Sequence, residues 1–320
     1  MDAAKIVAIG GGHGLAMTLR AVRRYSNDIT AIVSVADDGG STGRLRRDLG
    51  VLGVGDLRKC LVALADADDA DASIWAEASE YRFPSGELEG HALGNLILVG
   101  LAEVTGDWEV ALATAGRMLG AVGRVLPATS EPVVLHAELD HGRLEGQVTV
   151  QESTERIRRV ALIPPDASSP QSVTEAILGA DQIVLAPGSL FTSLLPALCV
   201  SAVTAALGRA TAPIVQVVNL AAQVPETEGL DAKDHVCAVL EHGLRVDDLV
   251  VDASSHLQVD EAAIERLGVR VVRADLARPD VAAHEPAKLA PVLAGLLESA
   301  SRPEGHNIRI GQRSPKMEES

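Results

Sequence analysis

The 320-residue chain carries 28 Lys plus Arg against 44 Asp plus Glu, a formal net charge of −16, and is 47% hydrophobic but only 2% aromatic. So much aliphatic content excludes wholesale disorder, while the acidic balance and the scarcity of rings argue against a nucleic-acid partner. No apolar run approaches the ~20 residues that span a bilayer, no signal-peptide pattern opens the chain, and Cys60, Cys199 and Cys237 are too sparse for a disulfide scaffold or thiolate zinc site. A reducing, cytoplasmic setting is expected.

Residues 5–9 read as a buried strand that enters Gly10-Gly11-Gly12-His13-Gly14-Leu15. A helix follows over 15–24, with Leu15, Leu19 and Val22 on one face. Strand, glycines and helix in that order offer unpaired N–H groups and the positive end of a helix dipole to an anion. The dinucleotide fingerprint GxGxxG is met at Gly10 and Gly12 but broken at Leu15.

A second strand at 29–36 ends in Asp37-Asp38-Gly39-Gly40-Ser41, with Arg44 close behind. Carboxylates at the carboxyl end of a strand can hold a ribose or a hard cation such as Mg²⁺, and an arginine with free amides can hold a phosphate. The alternative is a capped helix whose arginines pair with the two acids. Helices are predicted at 44–49 and 57–67, the second opened by Gly55-Asp56-Leu57-Arg58. Asp56 suits a cap, and a cation in the first turn opposes the dipole, which points Arg58 toward an anion. Further helices are predicted at 72–81, 93–104 and 108–119, and His91 and Asn95 lie just before and within the first turn of the middle one. Asn95 suits a specific hydrogen bond, and His91 either a ligand contact or a structural role.

The segment 123–164 breaks the rhythm. Residues 133–139 and 144–150 flank Asp140-His141-Gly142 as a β-hairpin, and 156–163 adds a third strand, together a small antiparallel elaboration. Alternation then resumes, with strands at 182–186, 213–219, 248–252 and 269–273 and helices at 191–198, 231–242, 260–267 and 286–297. The first of these strands runs into Gly188 and Ser189, with Thr192 and Ser193 at the helix start, a second candidate for a phosphate or carboxylate. The GxSxG frame of a serine-hydrolase elbow is missing there. Asn219 ends the next strand, where a polar ligand contact is expected. Residues 301–320 lose the apolar period and are expected to form a disordered tail.

Strands apolar on both faces, alternating with helices, predict one α/β domain over 1–300, built on a doubly wound, mostly parallel sheet covered on both sides. Its polar and glycine-rich loops then share one rim.

The stretches GGGHGL (10–15), VADDGGSTGRLR (35–46), GDLRKCL (55–61), GHALGNLIL (90–98), VVLHAEL (133–139), APGSLFTSLLPAL (186–198) and NLAAQVPETEG (219–229) resemble, in order, the motifs of the YvcK family. That family is also called the gluconeogenesis factor family (UPF0052), and is related to CofD, the 2-phospho-L-lactate transferase of coenzyme F420 synthesis. The resemblance runs to about residue 297. It implies a Rossmann-like CofD/YvcK fold and a cytoplasmic bacterial protein that binds UDP-sugars such as UDP-N-acetylglucosamine. It also implies a role in growth on gluconeogenic carbon, in cell shape and in peptidoglycan synthesis. His13 stands where many members carry Thr, Val54 where Pro is common, and Gln223-Val224-Pro225-Glu226-Thr227 is looser than the family's Gln-x-Gly-Glu-Thr.

Three readings follow. In the first, a regulator that requires no cofactor holds the diphosphate and sugar with the loops at Gly10–Leu15 and Gly188–Ser193, aided by Asp37, Asp38, Arg44, Arg58 and Asn219. In the second, a CofD-like transferase moves a phospholactyl group from a nucleotide-activated donor to a deazaflavin, with Mg²⁺ on Asp37 or Asp38; the scarcity of rings to stack a deazaflavin weakens it. The third, an NAD-dependent oxidoreductase, suffers from the broken fingerprint. A homo-oligomer suits such a fold.

Overall fold

The computed structural model describes residues 3–278 and 283–300. In chain order its strands are β1 (Lys5–Gly10), β2 (Asp28–Val33), β3 (Arg124–Pro127), β4 (Val134–Leu139), β5 (Gly142–Glu145), β6 (Ile157–Ile163), β7 (Gln182–Leu185), β8 (Ile214–Val217), β9 (Asp248–Asp252) and β10 (Arg270–Ala274). The helices are α1 (Gly12–Val22), α2 (Gly40–Leu49), α3 (Val54–Leu64), α4 (Ala70–Glu80), α5 (Leu93–Thr105), α6 (Trp108–Met118), α7 (Gln147–Gln151), α8 (Gln171–Leu178), α9 (Leu195–Leu198), α10 (Ser201–Arg209), α11 (Ala232–Glu241), α12 (Glu261–Glu265) and α13 (Pro286–Ala300), with a π-helical turn at Leu190–Leu194.

Seven strands form a parallel sheet in the order β10-β9-β8-β7-β1-β2-β3. From β1 the chain steps outward to β2 and β3; from β7 it steps the other way to β8, β9 and β10. The reversal between β1 and β7 is a topological switch point, where doubly wound sheets leave a crevice beyond the carboxyl ends of their strands. Right-handed crossovers put α1 on one face and the helices that link β7 to β8 and β8 to β9 on the other. On the first face α1 packs against α3 and α13; on the second α9 lies against β1. The core between is aliphatic, with Ile6, Ile9, Leu15, Leu19, Ile29 and Ile32 fully buried. Each such side chain contributes about 1.5–3 kcal/mol by leaving water. A smaller antiparallel sheet, ordered β5-β4-β6, sits beside the π turn and α9. No single helix among the described residues is long and apolar enough to cross a membrane.

The expected doubly wound sheet and antiparallel elaboration are both present, with corrections to the elements. Not all of 123–164 belongs to the elaboration, because β3 joins the main sheet as its edge strand. It ends in Pro127, which an edge tolerates since no outer neighbour needs the missing N–H. The strand expected over 144–150 divides: β5 stops at Glu145 and α7 follows. Asp38 is the cause, since its two carboxylate oxygens accept from the N–H groups of Gln147 (2.9 Å) and Val148 (3.0 Å) and so cap α7. The helix expected over 191–198 is a π turn followed by α9, α8 and α10 are additional helices, and the helix expected at 260–267 shortens to α12. β2 stops at Val33 rather than Ala36. The tail expected at 301–320 lies outside the described residues.

Candidate functional site

A crevice of about 350 Å³ opens at the switch point, within the ~300–1,000 Å³ usual for small-molecule sites. The first turn of α1 supplies His13 and Gly14, the turn after β7 supplies Pro187 and Gly188, the loop after β8 runs from Asn219 to Gln223, and Ala283 and His284 complete the lining. Gly10 (φ +152°) and Gly12 (φ +62°) carry the chain from β1 into α1 through left-handed backbone, which favours glycine. A Cβ added at Gly14 would lie 1.8 Å from the Pro187 carbonyl oxygen, so α1 abuts the turn after β7.

Helix starts without a side-chain cap occur at α5, α8 and α10, on Ala92, Pro170 and Val200, but glycine starts mark the first three helices. The N-caps of α1, α2 and α3 are Gly11, Gly39 and Gly53, and no side chain caps them. In contrast α4, α6, α11 and α12 are capped by Asp69, Asp107, Asp231 and Asp260. An Asp or Ser cap satisfies the free amides of a first turn; a bare glycine start leaves them to an anion from outside. The first turn of α1, which lines the crevice, also carries no acidic residue.

The start of α3 meets that of α1. A Cβ added at Gly11 would lie 2.6 Å from Asp56 Oδ2 and 3.2 Å from Ser193 Cβ. Lys59 Nζ donates to Asp56 Oδ1 at 3.0 Å, and the lysine side chain is 23% exposed. Asp37 stands alongside, its Oδ1 accepting from the Gly39 N–H (3.0 Å) and its Oδ2 2.9 Å from where a Gly55 Cβ would lie. Burial first, then the Asp56 charge, pushes the Asp37 carboxyl above its ordinary range. Burial first, then the Lys59 ammonium, holds His13 below the usual histidine value.

Several expected contacts are engaged elsewhere. Arg58 does not face an anion from outside: it is 2% exposed, pairs with Glu80 Oε2 (2.6 Å) and donates to Asn95 Oδ1 (2.9 Å) and the Ser79 carbonyl (3.3 Å). Asn95 Nδ2 donates in turn to Ser41 Oγ (3.4 Å), which lies 3.0 Å from His91 Nδ1. Burial and the Arg44 charge lower the His91 pKa, favouring the neutral ring. Arg58, Asn95, Ser41 and His91 thus form one buried chain of polar groups. Arg44 donates to the Glu89 carbonyl. Leu15 is buried in the core and its N–H returns to the Gly11 carbonyl. Gly39 and Gly40 serve the turn into α2. Of the Asp37–Asp38 pair expected as a magnesium site, both oxygens of Asp38 accept from amides of α7 and Asp37 Oδ1 accepts from the Gly39 N–H. No group of three or more His, Cys, Asp or Glu suited to a metal occurs among the described residues.

The second glycine loop is also partly occupied. Glu226 Oε1 accepts from the N–H groups of Phe191 (2.8 Å) and Thr192 (3.0 Å), so the anion expected at this helix start is a carboxylate of the protein itself. Burial raises the Glu226 pKa, opposed by these amides and the Ser189 hydroxyl. Gly188 is held by Asn219, which makes two hydrogen bonds to its backbone. Gly188, Asn219, His13 and Gly14 therefore line the crevice, with Ser193 beside Gly11 and Asp56.

Sequence reasoning passed over three residues of this region. Lys59 lies inside GDLRKCL, three positions after Asp56, a spacing that puts both on one helix face. Glu226 lies within the polar loop after β8, beside Glu228, and only the fold shows that it is buried. His284 has no local signal, because it reaches the crevice from the far end of the chain.

The chain matches the family described as 2-phospho-L-lactate transferase CofD over residues 6–277. It is 43% identical over 309 residues to a Mycobacterium tuberculosis protein named "Putative gluconeogenesis factor", covering 91% of this chain and 90% of that one. It is 36% identical over 316 residues to the Bacillus subtilis "Gluconeogenesis factor", covering 92% and 98%. A crystal structure of a UPF0052 family member from Bacillus halodurans superimposes with a TM-score of 0.86 at 35% identity, covering 92% of this chain and 99% of that one.

Proposed function

The chain belongs to the CofD family and, within it, to the gluconeogenesis factors, and from that premise we propose that it is a regulatory protein binding a UDP-sugar of the UDP-N-acetylglucosamine type in the switch-point crevice. The observation that carries this reading is the bare glycine start of α1, facing the Gly188–Asn219 pair across a crevice of ligand size. With a chain charge of −16, bulk attraction cannot recruit a diphosphate, so local donors must. The amides of the α1 start and the Lys59 ammonium are those donors, and Asp37 and Asp56 accept from ribose or sugar hydroxyls. Binding needs no metal in this reading. Acting in the cytoplasm, the protein couples sugar-nucleotide supply to central carbon metabolism, cell shape and peptidoglycan synthesis.

The match to the CofD family favours one other reading, a transferase that places a nucleotide-activated donor in the same crevice. Against it, no Phe, Tyr or Trp among the described residues lines the crevice to stack a deazaflavin, and both oxygens of Asp38 already accept from amides of α7. Calorimetry with UDP-N-acetylglucosamine, GDP and NAD separates the readings. Saturable binding of the UDP-sugar alone supports the regulator. No UDP-sugar binding at millimolar concentration overturns it, and chelator-sensitive phospholactyl transfer to a deazaflavin would establish the transferase. In cells, loss of the protein should impair growth on gluconeogenic carbon and distort shape, and variants that cannot bind should not restore either.

A further inference from the structure

The C-terminal wall of the crevice holds a polar atom that the fold leaves unsatisfied. His284 is 5% exposed and lines the crevice, yet its Nε2 has no hydrogen-bond partner among the described residues. A buried polar atom without a partner costs about 1–3 kcal/mol, and such atoms in folded proteins call for a reason. The ring is not placed by chance. Asp252, at the end of β9, accepts from the N–H groups of Leu276 (2.7 Å) and Ala277 (2.9 Å). Ala277 in turn pairs with His284 in an antiparallel bridge, and the Glu285 N–H donates to the Leu276 carbonyl (2.7 Å). The histidine is therefore clamped to the carboxyl edge of the sheet.

The chemistry of the ring follows from its surroundings. Burial lowers its pKa to about 4 despite the nearby Asp252 carboxylate, so at neutral pH the imidazole is uncharged. A neutral imidazole carries one N–H and one lone pair. With Nε2 the atom without a partner and the Val218 backbone beside the ring, the network assigns the proton to Nδ1, the tautomer that leaves Nε2 its lone pair. An uncharged acceptor is unsuited to phosphate, which offers no proton at neutral pH.

We propose that His284 is a ligand-reading residue whose Nε2 accepts a hydrogen bond from an N–H or O–H on the uncharged part of the bound nucleotide, either the base or the sugar. This rests on the proposed UDP-sugar reading and divides the crevice: the α1 start takes the phosphates, and His284 takes a neutral donor group. Loss of such a contact lowers affinity about tenfold or more.

The test measures affinities of the wild type and of the His284→Leu and His284→Gln variants for UDP-N-acetylglucosamine, UDP-glucose, UDP and GDP. His284→Leu keeps the buried bulk without an acceptor, while His284→Gln places an amide oxygen near the former Nε2. The expected result is a loss of about tenfold for Leu and a smaller loss for Gln. If UDP suffers as much as the sugar nucleotides, the donor is on the base or the ribose; if only the sugar nucleotides suffer, it is on the pendant sugar. Wild-type affinity in a folded His284→Leu protein overturns the proposal. A second readout needs no variant: the ¹⁵N resonance of His284 Nε2 in the wild-type protein must move as ligand saturates, and an unmoved resonance overturns the proposal even where the variants fail to fold. Wild-type binding of GDP but no uridine nucleotide removes the UDP-sugar reading, and the His284 resonance is then followed with GDP. Binding of none of the four overturns both.

Discussion

Asn219 holds Gly188 by both of its backbone polar groups: the Gly188 N–H donates to Asn219 Oδ1 at 2.6 Å, and Asn219 Nδ2 donates to the Gly188 carbonyl at 2.8 Å. The end of β8 thereby fixes the turn after β7 against α1, and two walls of the crevice behave as one. Asn219→Asp keeps the acceptor but loses the donor and sets a carboxylate oxygen against a carbonyl. It should weaken nucleotide binding about tenfold, with a stability loss of about 1–3 kcal/mol. Calorimetry and denaturant unfolding on the same sample check both numbers.

Arg58 and Lys59 are neighbours in sequence with opposite expected phenotypes. Arg58 is buried and joins Glu80, Asn95 and the Ser79 carbonyl. Arg58→Met leaves Asn95 Oδ1 without its donor and should cost about 1–3 kcal/mol of stability. Lys59 is partly exposed and bound only to Asp56 among the described residues. Lys59→Ala should change stability by less than about 1 kcal/mol, yet weaken nucleotide binding and flatten its salt dependence. Equal stability losses for the two variants would remove the distinction.

The Glu226 carboxyl makes a pH-dependent prediction. Its ordinary value is 4.5, and burial raises it in the folded protein. Well below 4.5 both folded and unfolded chains hold the proton, and the group has no effect on folding. As pH rises through 4.5 the unfolded chain releases the proton first, so the folded state binds more protons and stability falls. The fall ends once pH exceeds the raised folded value. Glu226→Gln keeps an oxygen for the Phe191 and Thr192 amides and has no proton to lose. Relative to wild type, its melting temperature should therefore improve over the pH window that begins at 4.5 and ends at the raised folded value. A relative decline over that window would show that the amides outweigh burial.

How far these features were legible depends on the range of the interactions behind them. Residues 5–9 and 182–186 read directly as strands because they are aliphatic on both faces, and the glycines after them read as anion-binding loops at the carboxyl ends of those strands. The run 144–150 read as a strand because Val148, Thr149 and Val150 are β-branched; a carboxylate 109 positions upstream, Asp38, caps it into a helix instead. Arg58 read as an anion contact because a cation opposes the dipole of its helix, and Glu80, which answers that charge, sits on another helix. Glu226 reaches the π turn across 35 positions, and His284 joins the crevice only through the sheet edge. Local pattern thus located the loops, while the assignment of each donor and acceptor within them required tertiary contacts.

Two glycines of the first loop should separate a wall from a contact. At Gly14 an added Cβ would fall 1.8 Å from the Pro187 carbonyl oxygen and 2.6 Å from its carbon, both backbone atoms. Neither α1 nor the turn after β7 can yield alone, since α1 packs on α3 and α13 and Asn219 grips the turn. Gly14→Ala should therefore cost more than the ~1–3 kcal/mol usual for overpacking and abolish binding together with folding stability. At Gly11 the added Cβ meets the Asp56 carboxylate at 2.6 Å and Ser193 Cβ at 3.2 Å, side-chain atoms that can swing aside. Gly11→Ala should keep the protein folded, displace Asp56 together with the Lys59 ammonium it holds, and weaken binding. Melting temperatures in the order wild type, Gly11→Ala, Gly14→Ala, with binding already reduced in Gly11→Ala, are the expected result. If Gly11→Ala instead bound nucleotide as tightly as wild type, the Asp56–Lys59 pair would lie outside the phosphate site, and the α1 amides alone would have to hold the anion.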